Sequence, residues 1–379
     1  MIRTITALLT IVLAQASFGG NDFHVYFGCY TNAKTGSKGI HVSKFNVATG
    51  MLSEPAVAAE TGSPSFLAIH PSKKYLYAVG EMGTPGQKGG GVSAFRIVQP
   101  DGRLTLINQV SSVGSGPCHI SIDQTGKMAM VANYSGGSVA SYAIAENGAL
   151  SEAKTFVQHE GSSVNAKRQA GPHAHSLNRS PDNRFGFACD LGLDKVLIYR
   201  LDPTSGTMKP NGEVSLPPGS GPRHFAFHPS GKYAFVNNEM LMTVTSFAYD
   251  ADKGALTQIE TVSTLPEADR GKTGLSTAET VAHPNGRFVY VSNRTHDTIA
   301  VFTCDASTGK LTLVQNAPAE GEIPRNFNLD PTGKWMIVAH QNSNTAALFK
   351  VDQDSGKLSF TGKKIQVGGA VCVRFLAVE

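Results

Sequence analysis

The segment GPRHFAFHPSGKYAFVNNEM, residues 221–240, reads as two short strands around a Pro-Ser-Gly turn. Arg223 and His224 open the first strand, and Asn238 and Glu239 close the second. In an antiparallel pair the start of one strand lies beside the end of the other. The four polar side chains therefore collect at one end of the hairpin.

The hairpin recurs. Related segments are SPSFLAIHPSKKYLYAVGE (63–81), GPCHISIDQTGKMAMVANY (116–134), HAHSLNRSPDNRFGFACDL (173–191), AETVAHPNGRFVYVSNR (278–294) and IPRNFNLDPTGKWMIVAHQ (323–341). Their turn positions, Pro71, Gln124, Pro181, Pro229, Pro284 and Pro331, are spaced by 53, 57, 48, 55 and 47 residues. Most are followed by two further strand-like runs, such as KVLIYRLD (195–202) and then, after a glycine turn, a Leu-containing strand such as KLTLV (310–314). Four antiparallel strands repeated at such a period select a propeller. One four-stranded sheet cannot bury both faces alone, whereas sheets stacked around an axis bury each other.

The chain ends supply a further blade. HVYFGCYT (24–31) resembles a second strand without a first, and AVCVRFLAV (370–378) a first strand without a second. Pairing them closes the ring and removes two sheet edges. The expectation is an all-β, seven-bladed β-propeller over residues 21–379, with a closing blade shared by the N- and C-terminal strands. The alternative is a six-bladed ring with loose termini. In the seven-bladed arrangement Cys29 and Cys372 would face one another on adjacent strands.

Residues 1–16 read as a signal peptide: Arg3, the apolar run ITALLTIVLA (5–14) and small residues at Ala14 and Ala16. The expected location is periplasmic or extracellular, with no membrane insertion after cleavage; a misread start would leave the protein cytoplasmic. The five cysteines are scattered without a CxxC, and an odd number cannot all pair within one chain, so buried thiols are expected. A net charge of +4 over 379 residues gives no case for a nucleic-acid partner.

Strand-one starts and strand-two ends place a polar set on one rim of the channel. The starts contribute Phe66, His119, His175, Arg223, His224, Glu279 and Arg325. The ends contribute Glu81, Asn133, Asp190, Asn238, Glu239, Asn293, Arg294 and Gln341. Two longer connections, 159–172 and 265–277, carry Lys167, Arg168, Arg270 and Lys272 toward the same mouth. Such a rim on an apolar torus suits a small anionic ligand. His173 and His175 form an HxH pair, but carboxylate or cysteine partners at metal-site spacing are missing, so no metal is expected. There is no GxSxG elbow and no glycine-rich phosphate loop. Carboxylate, imidazole and guanidinium together suit an activated water attacking an ester or lactone.

The runs 171–202, 221–239, 278–302 and 323–341 resemble the seven-bladed propeller lactonase family, which includes the propeller type of 6-phosphogluconolactonase and the fungal carboxy-muconate lactonizing enzymes. The resemblance implies hydrolysis of 6-phospho-D-glucono-1,5-lactone to 6-phosphogluconate, without a metal or organic cofactor. By motif position it points to His175, Arg223, His224, Glu239, Glu279, Arg294 and Arg325. In the reading adopted from these residues, Glu239 or Glu279 deprotonates water with His175 or His224 assisting. Arg223, Arg294 and Arg325 hold an anionic lactone, and His119, Asn133, Asp190, Asn238, Asn293 and Gln341 also contact it. Export departs from the family's cytosolic hexose-phosphate role and favours another sugar lactone. A non-catalytic exported propeller binding a glycan or protein, and a muconate-type cycloisomerase, are the alternatives.

Overall fold

In the computed structural model, which describes residues 21–81 and 90–378, the repeat becomes seven antiparallel sheets. The expected signal peptide lies outside the described residues. Six sheets take four consecutive strands each: blade 1 over 64–111, blade 2 over 117–158, blade 3 over 174–215, blade 4 over 222–263, blade 5 over 276–318 and blade 6 over 324–366. The helical content of the described residues is a single 3-10 turn, Glu267–Asp269.

Burial explains the strand sequences. Second strands are covered on both faces by neighbouring blades, so they lose the polar alternation of a half-exposed strand. Met128–Asn133, Phe185–Asp190 and Tyr233–Asn238 are buried at every position. The outermost strand Leu150–Gln158 alternates between partly covered and exposed residues, because one of its faces meets water.

The turns between first and second strands also join the blades. Gly126, Gly286 and Gly333 sit in left-handed conformations with φ of 73°, 74° and 71°. Their carbonyls meet the Nε2 atoms of His70, His228 and His283 in the preceding repeat unit at 2.8, 2.7 and 2.9 Å. A Cβ on any of these glycines would lie within 2.8 Å of the imidazole, so glycine is required sterically as well as conformationally.

The closing blade forms as expected. Asp22–Cys29 pairs antiparallel with Ala370–Ala377, in the register Phe23↔Ala377 to Gly28↔Cys372. Gly39–Asn46 is the third strand, and its outer neighbour is split between Met51–Leu52 and Ala56–Glu60. Ala370–Ala377 contacts both Pro324–Leu329 of blade 6 and Pro64–Ile69 of blade 1, which closes the ring. One expectation is corrected. A bulge at Gly28/Cys29 shifts the register, so Cys372 stands opposite Gly28 and Cys29 opposite Ala370. Cys372 Sγ accepts the Leu67 amide at 3.4 Å, while Cys29 Sγ lies 3.5 Å from His41 Nδ1. All five cysteines are free and buried.

Removal of the strand after Gly369 should expose the edges of Asp22–Cys29 and open the ring. Circular-dichroism melting of the truncated chain is expected to show a broad, low-temperature transition in place of the cooperative melt of the full-length fold.

Candidate active site

A register break recurs near the start of every innermost strand, as between Pro64 and Phe66, Ala174 and Ser176, Pro222 and Phe225, and Pro324 and Asn326. A bulge of this kind re-aims side chains and lets sequence neighbours serve different contacts. Arg223 and His224 do so: Arg223 reaches Glu239 of its own blade, and His224 reaches Glu279 of blade 5. By register His175, Arg223 and Arg325 are equivalent positions in blades 3, 4 and 6, and His119, His224, Glu279 and Asn326 form the next level along the axis.

Glu239 is the centre of the rim. Its Oε2 accepts from Arg223 Nε at 3.0 Å and meets Arg294 Nη2 at 2.9 Å. Its Oε1 accepts from Arg168 Nη2 at 2.7 Å, so the long 159–172 connection does fold over the mouth. Arg168 also donates to the Tyr134 hydroxyl at 2.9 Å. Burial alone would push the Glu239 carboxyl up, but Arg294, Arg223 and Arg168 outweigh it and hold the pKa at about 2. Arg223 is forced down to about 10 by burial and by the neighbouring Arg325 and Arg294. The Arg294 Nε–H is buried and has no hydrogen-bond partner among the described residues. Arg325 is half-buried at the rim, its guanidinium over the Tyr30 ring at 5.5 Å, and Tyr30 in turn donates to Glu81 at 2.9 Å.

Glu279 has a different environment. His224 Nδ1 lies 2.8 Å from its Oε1, which also accepts the Thr280 amide at 3.0 Å, and Asn326 Nδ2 donates to Oε2. Burial dominates and raises this carboxyl to about 7 despite Arg374 and Arg223. His224 Nε2 stands 3.3 Å from Arg223 Nη1, a guanidinium that only donates, so this contact selects the tautomer with its proton on Nδ1, donating to Glu279. Burial, then nearby positive charge, depresses His175 and His224 well below the ordinary imidazole value, and His119 is lowered in the same way. All three rings are therefore neutral near pH 7. The His224 ring lies 5.4 Å from that of His175 and 5.6 Å from that of His119.

The structure thus brings together His175, Arg223, Glu239, Arg294 and Arg325 at the rim, with His119, His224 and Glu279 one level below. It removes Asn133, Asp190, Asn238 and Asn293 from the expected substrate contacts. Each lies at or next to the end of a second strand, is buried and is engaged within the protein. Asn133, Asn238 and Asn293 donate to Ser138, Thr243 and Thr298 at 3.1, 2.9 and 3.2 Å, and Asp190 pairs with His159 at 2.6 Å. The reason is the two-residue period of a strand: the residue one step later, such as Tyr134, Glu239 or Arg294, takes the rim. Gln341 holds the equivalent rim position but lines a peripheral pocket of about 410 Å³ with Tyr30, Lys34 and Asn342. The HxH pair also divides. His173 stacks on Tyr134 with centroids 4.6 Å apart, while His175 lies beside Cys118. Lys167, Arg270 and Lys272 remain exposed. Arg168 and Tyr134, which hold the rim together, were visible in the sequence as a loop cation and a strand-end aromatic without a partner to connect them.

Comparison with known proteins identifies the family of the chain. Residues 24–375 match the family described as Lactonase, 7-bladed beta-propeller. A Bacillus subtilis protein named 6-phosphogluconolactonase is 37% identical over 305 residues, covering 80% of this chain and 84% of its own length. A Formosa agariphila protein of the same name is 34% identical over 315 residues, covering 81% of this chain and 86% of its own. The solved structure of a periplasmic gluconolactonase from Pseudomonas aeruginosa superposes with a TM-score of 0.87 at 34% identity, over 94% of this chain and 100% of that one.

The two glutamates should show opposite linkage to pH. Glu239 titrates at about 2 against an ordinary 4.5, so its stabilisation is present above 4.5 and is lost as pH falls toward 2. Glu279 titrates at about 7, so stability that is full below 4.5 is lost as pH rises through 7. Thermal melting from pH 3 to 8 should show Glu239→Gln losing about 3–5 kcal/mol near neutrality, because two buried guanidinium groups lose their counter-charge. Glu279→Gln should gain on the parent as pH rises from 5 to 8.

Proposed function

The chain belongs to the seven-bladed β-propeller lactonase family, and on that premise we propose that it hydrolyses a sugar lactone whose anionic group is held by Arg294 and Arg325. The observation that carries this reading is the rim itself, where three guanidinium groups gather on one carboxylate beside a neutral imidazole. The unpartnered Arg294 Nε–H favours a bound anion, since a buried donor left unsatisfied costs about 1–3 kcal/mol.

We assign the proton-accepting role to His175 rather than to either glutamate. Both Glu239 oxygens already accept from guanidinium groups, which leaves no free lone pair aimed at a water. Both Glu279 oxygens are occupied by His224, Asn326 and the Thr280 amide. His175 is neutral near pH 7 and stands at the level of Arg223. It takes a proton from water as the water oxygen attacks the lactone carbonyl carbon. Arg223 stabilises the oxyanion. The ring C–O bond then breaks, and the proton on His175 passes to the departing alkoxide. Glu239 keeps the arginines in place, and His224 orients Arg223 by accepting from its Nη1.

Export is part of the proposal. It is supported by the pattern of residues 1–16 and by the similarity to a protein named as periplasmic. Outside the cytoplasm the substrate is an unphosphorylated lactone, with a carboxylate on the sugar supplying the negative charge. N-terminal sequencing of secreted material is expected to begin at Ser17 or a few residues later, and an intact Met1 would refute cleavage of the signal peptide.

A panel of glucono-, galactono- and uronate-derived lactones, with 6-phosphogluconolactone as comparison, tests the reaction against spontaneous hydrolysis. His175→Ala is expected to lower kcat about 10²–10⁴-fold. Arg294→Gln should raise KM for the anionic lactones while leaving neutral ones near the parent value. Full turnover by His175→Ala would return the base role to a glutamate.

A further inference from the structure

The axial channel continues beyond the His224–Glu279 level. Residues further along the innermost strands, toward the face opposite the arginine rim, surround a cavity of about 270 Å³ whose walls include His224, Glu279, Thr280 and Arg374. It shares Phe66, His119, Asn178, Asn328 and Arg374 with an adjoining space of about 400 Å³. None of the rim residues Glu239, Arg294 or Arg325 lines either space.

Arg374 is the cation of this lower chamber. Its guanidinium lies over the Phe66 ring at 4.5 Å. Nε and Nη1 donate to the carbonyls of Leu67 and Val373 at 2.9 and 2.7 Å. These bonds fix the fork without neutralising it, and among the described residues no carboxylate pairs with it directly. The other polar groups in the wall are mostly donors. Asn178 Nδ2 and the Thr280 hydroxyl, on a residue only 2% exposed, have no hydrogen-bond partner. His119 accepts the Leu177 amide at Nδ1 and so carries its proton on Nε2. The acid in the wall, Glu279, has both oxygens engaged by His224, Asn326 and the Thr280 amide.

We propose that the lower chamber is a second binding site, taking a small carboxylate against the Arg374 guanidinium, on the opposite side of the His224–Glu279 level from the rim. A fixed guanidinium fork matches a carboxylate in a plane, and surrounding amide, hydroxyl and imidazole donors satisfy its remaining lone pairs. The chamber's size suits an acid of up to about six carbons. Occupancy there places a negative charge next to Glu279 and so communicates with His224 and Arg223 above it.

Calorimetric titration with D-gluconate tests the site by binding alone, so its outcome is separable from whether the rim hydrolyses lactones. With Arg294→Gln as background, to weaken binding at the rim, saturable binding of one gluconate per chain is expected. Adding Arg374→Gln should weaken it at least about tenfold, as expected on losing a charged hydrogen-bonding partner. Adding Ala226→Leu instead, which fills the chamber and keeps every charge, should also abolish it. The proposal is overturned if gluconate binding vanishes in Arg294→Gln alone, or if it persists unchanged in either Arg374→Gln or Ala226→Leu.

Discussion

Guanidinium groups brought together at a half-buried rim repel one another unless a counter-charge stands among them. The Glu239 carboxylate supplies that charge to Arg223 from its own strand pair, to Arg294 from blade 5 and to Arg168 from the connection before blade 3. The three come from separate parts of the chain and meet on two oxygen atoms. Rim geometry, the closed position of the 159–172 connection and the positive potential available to a substrate all depend on this one ionised group. Its resistance to protonation is thus a structural requirement before it is a chemical one.

The repeated bulge turns a symmetric scaffold into a two-level site. All seven innermost strands share a register break near their start, yet the residues placed there differ: His175, Arg223 and Arg325 in blades 3, 4 and 6, but Ser65 in blade 1 and Val371 in the closing blade. At the bulge position itself, guanidinium and imidazole groups are therefore confined to blades 3, 4 and 6. Because consecutive residues are re-aimed differently, Arg223 joins the ionised Glu239 and His224 joins the higher-titrating Glu279. Two carboxylates on one blade pair acquire pKa values of about 2 and about 7 from charge neighbours and burial alone.

Histidine shows how little residue type says about role in this fold. His70, His228 and His283 hold carbonyls of the next repeat unit and belong to the ring's mechanical closure. His159 is buried between Asp190 and Tyr199. His173 packs on Tyr134, and His340 bonds Thr345 and the Ala319 carbonyl. His119, His175 and His224 converge on the channel. In the sequence His228 directly precedes the Pro-Ser-Gly turn of its hairpin, and His224 stands only four positions earlier.

The sequence by itself determined the number of blades, the four-strand unit and the pairing of the two termini. Each of these follows from burial patterns that are local to about 50 residues and are repeated, so that one unit reads the next. It also located the rim and most of its charged residues, because strand starts and ends are fixed by the turns between them. It did not separate Asn238 from Glu239, or Asn293 from Arg294, since consecutive strand residues point to opposite sides and only the stacked blades decide which of the two faces the axis. Nor did it show that Arg168 meets Glu239 across 71 positions, or that His224 meets Glu279 across 55. Those contacts exist only once adjacent blades are stacked, and the pKa values, the chemical roles and the lower chamber with its unneutralised Arg374 come from that stacking.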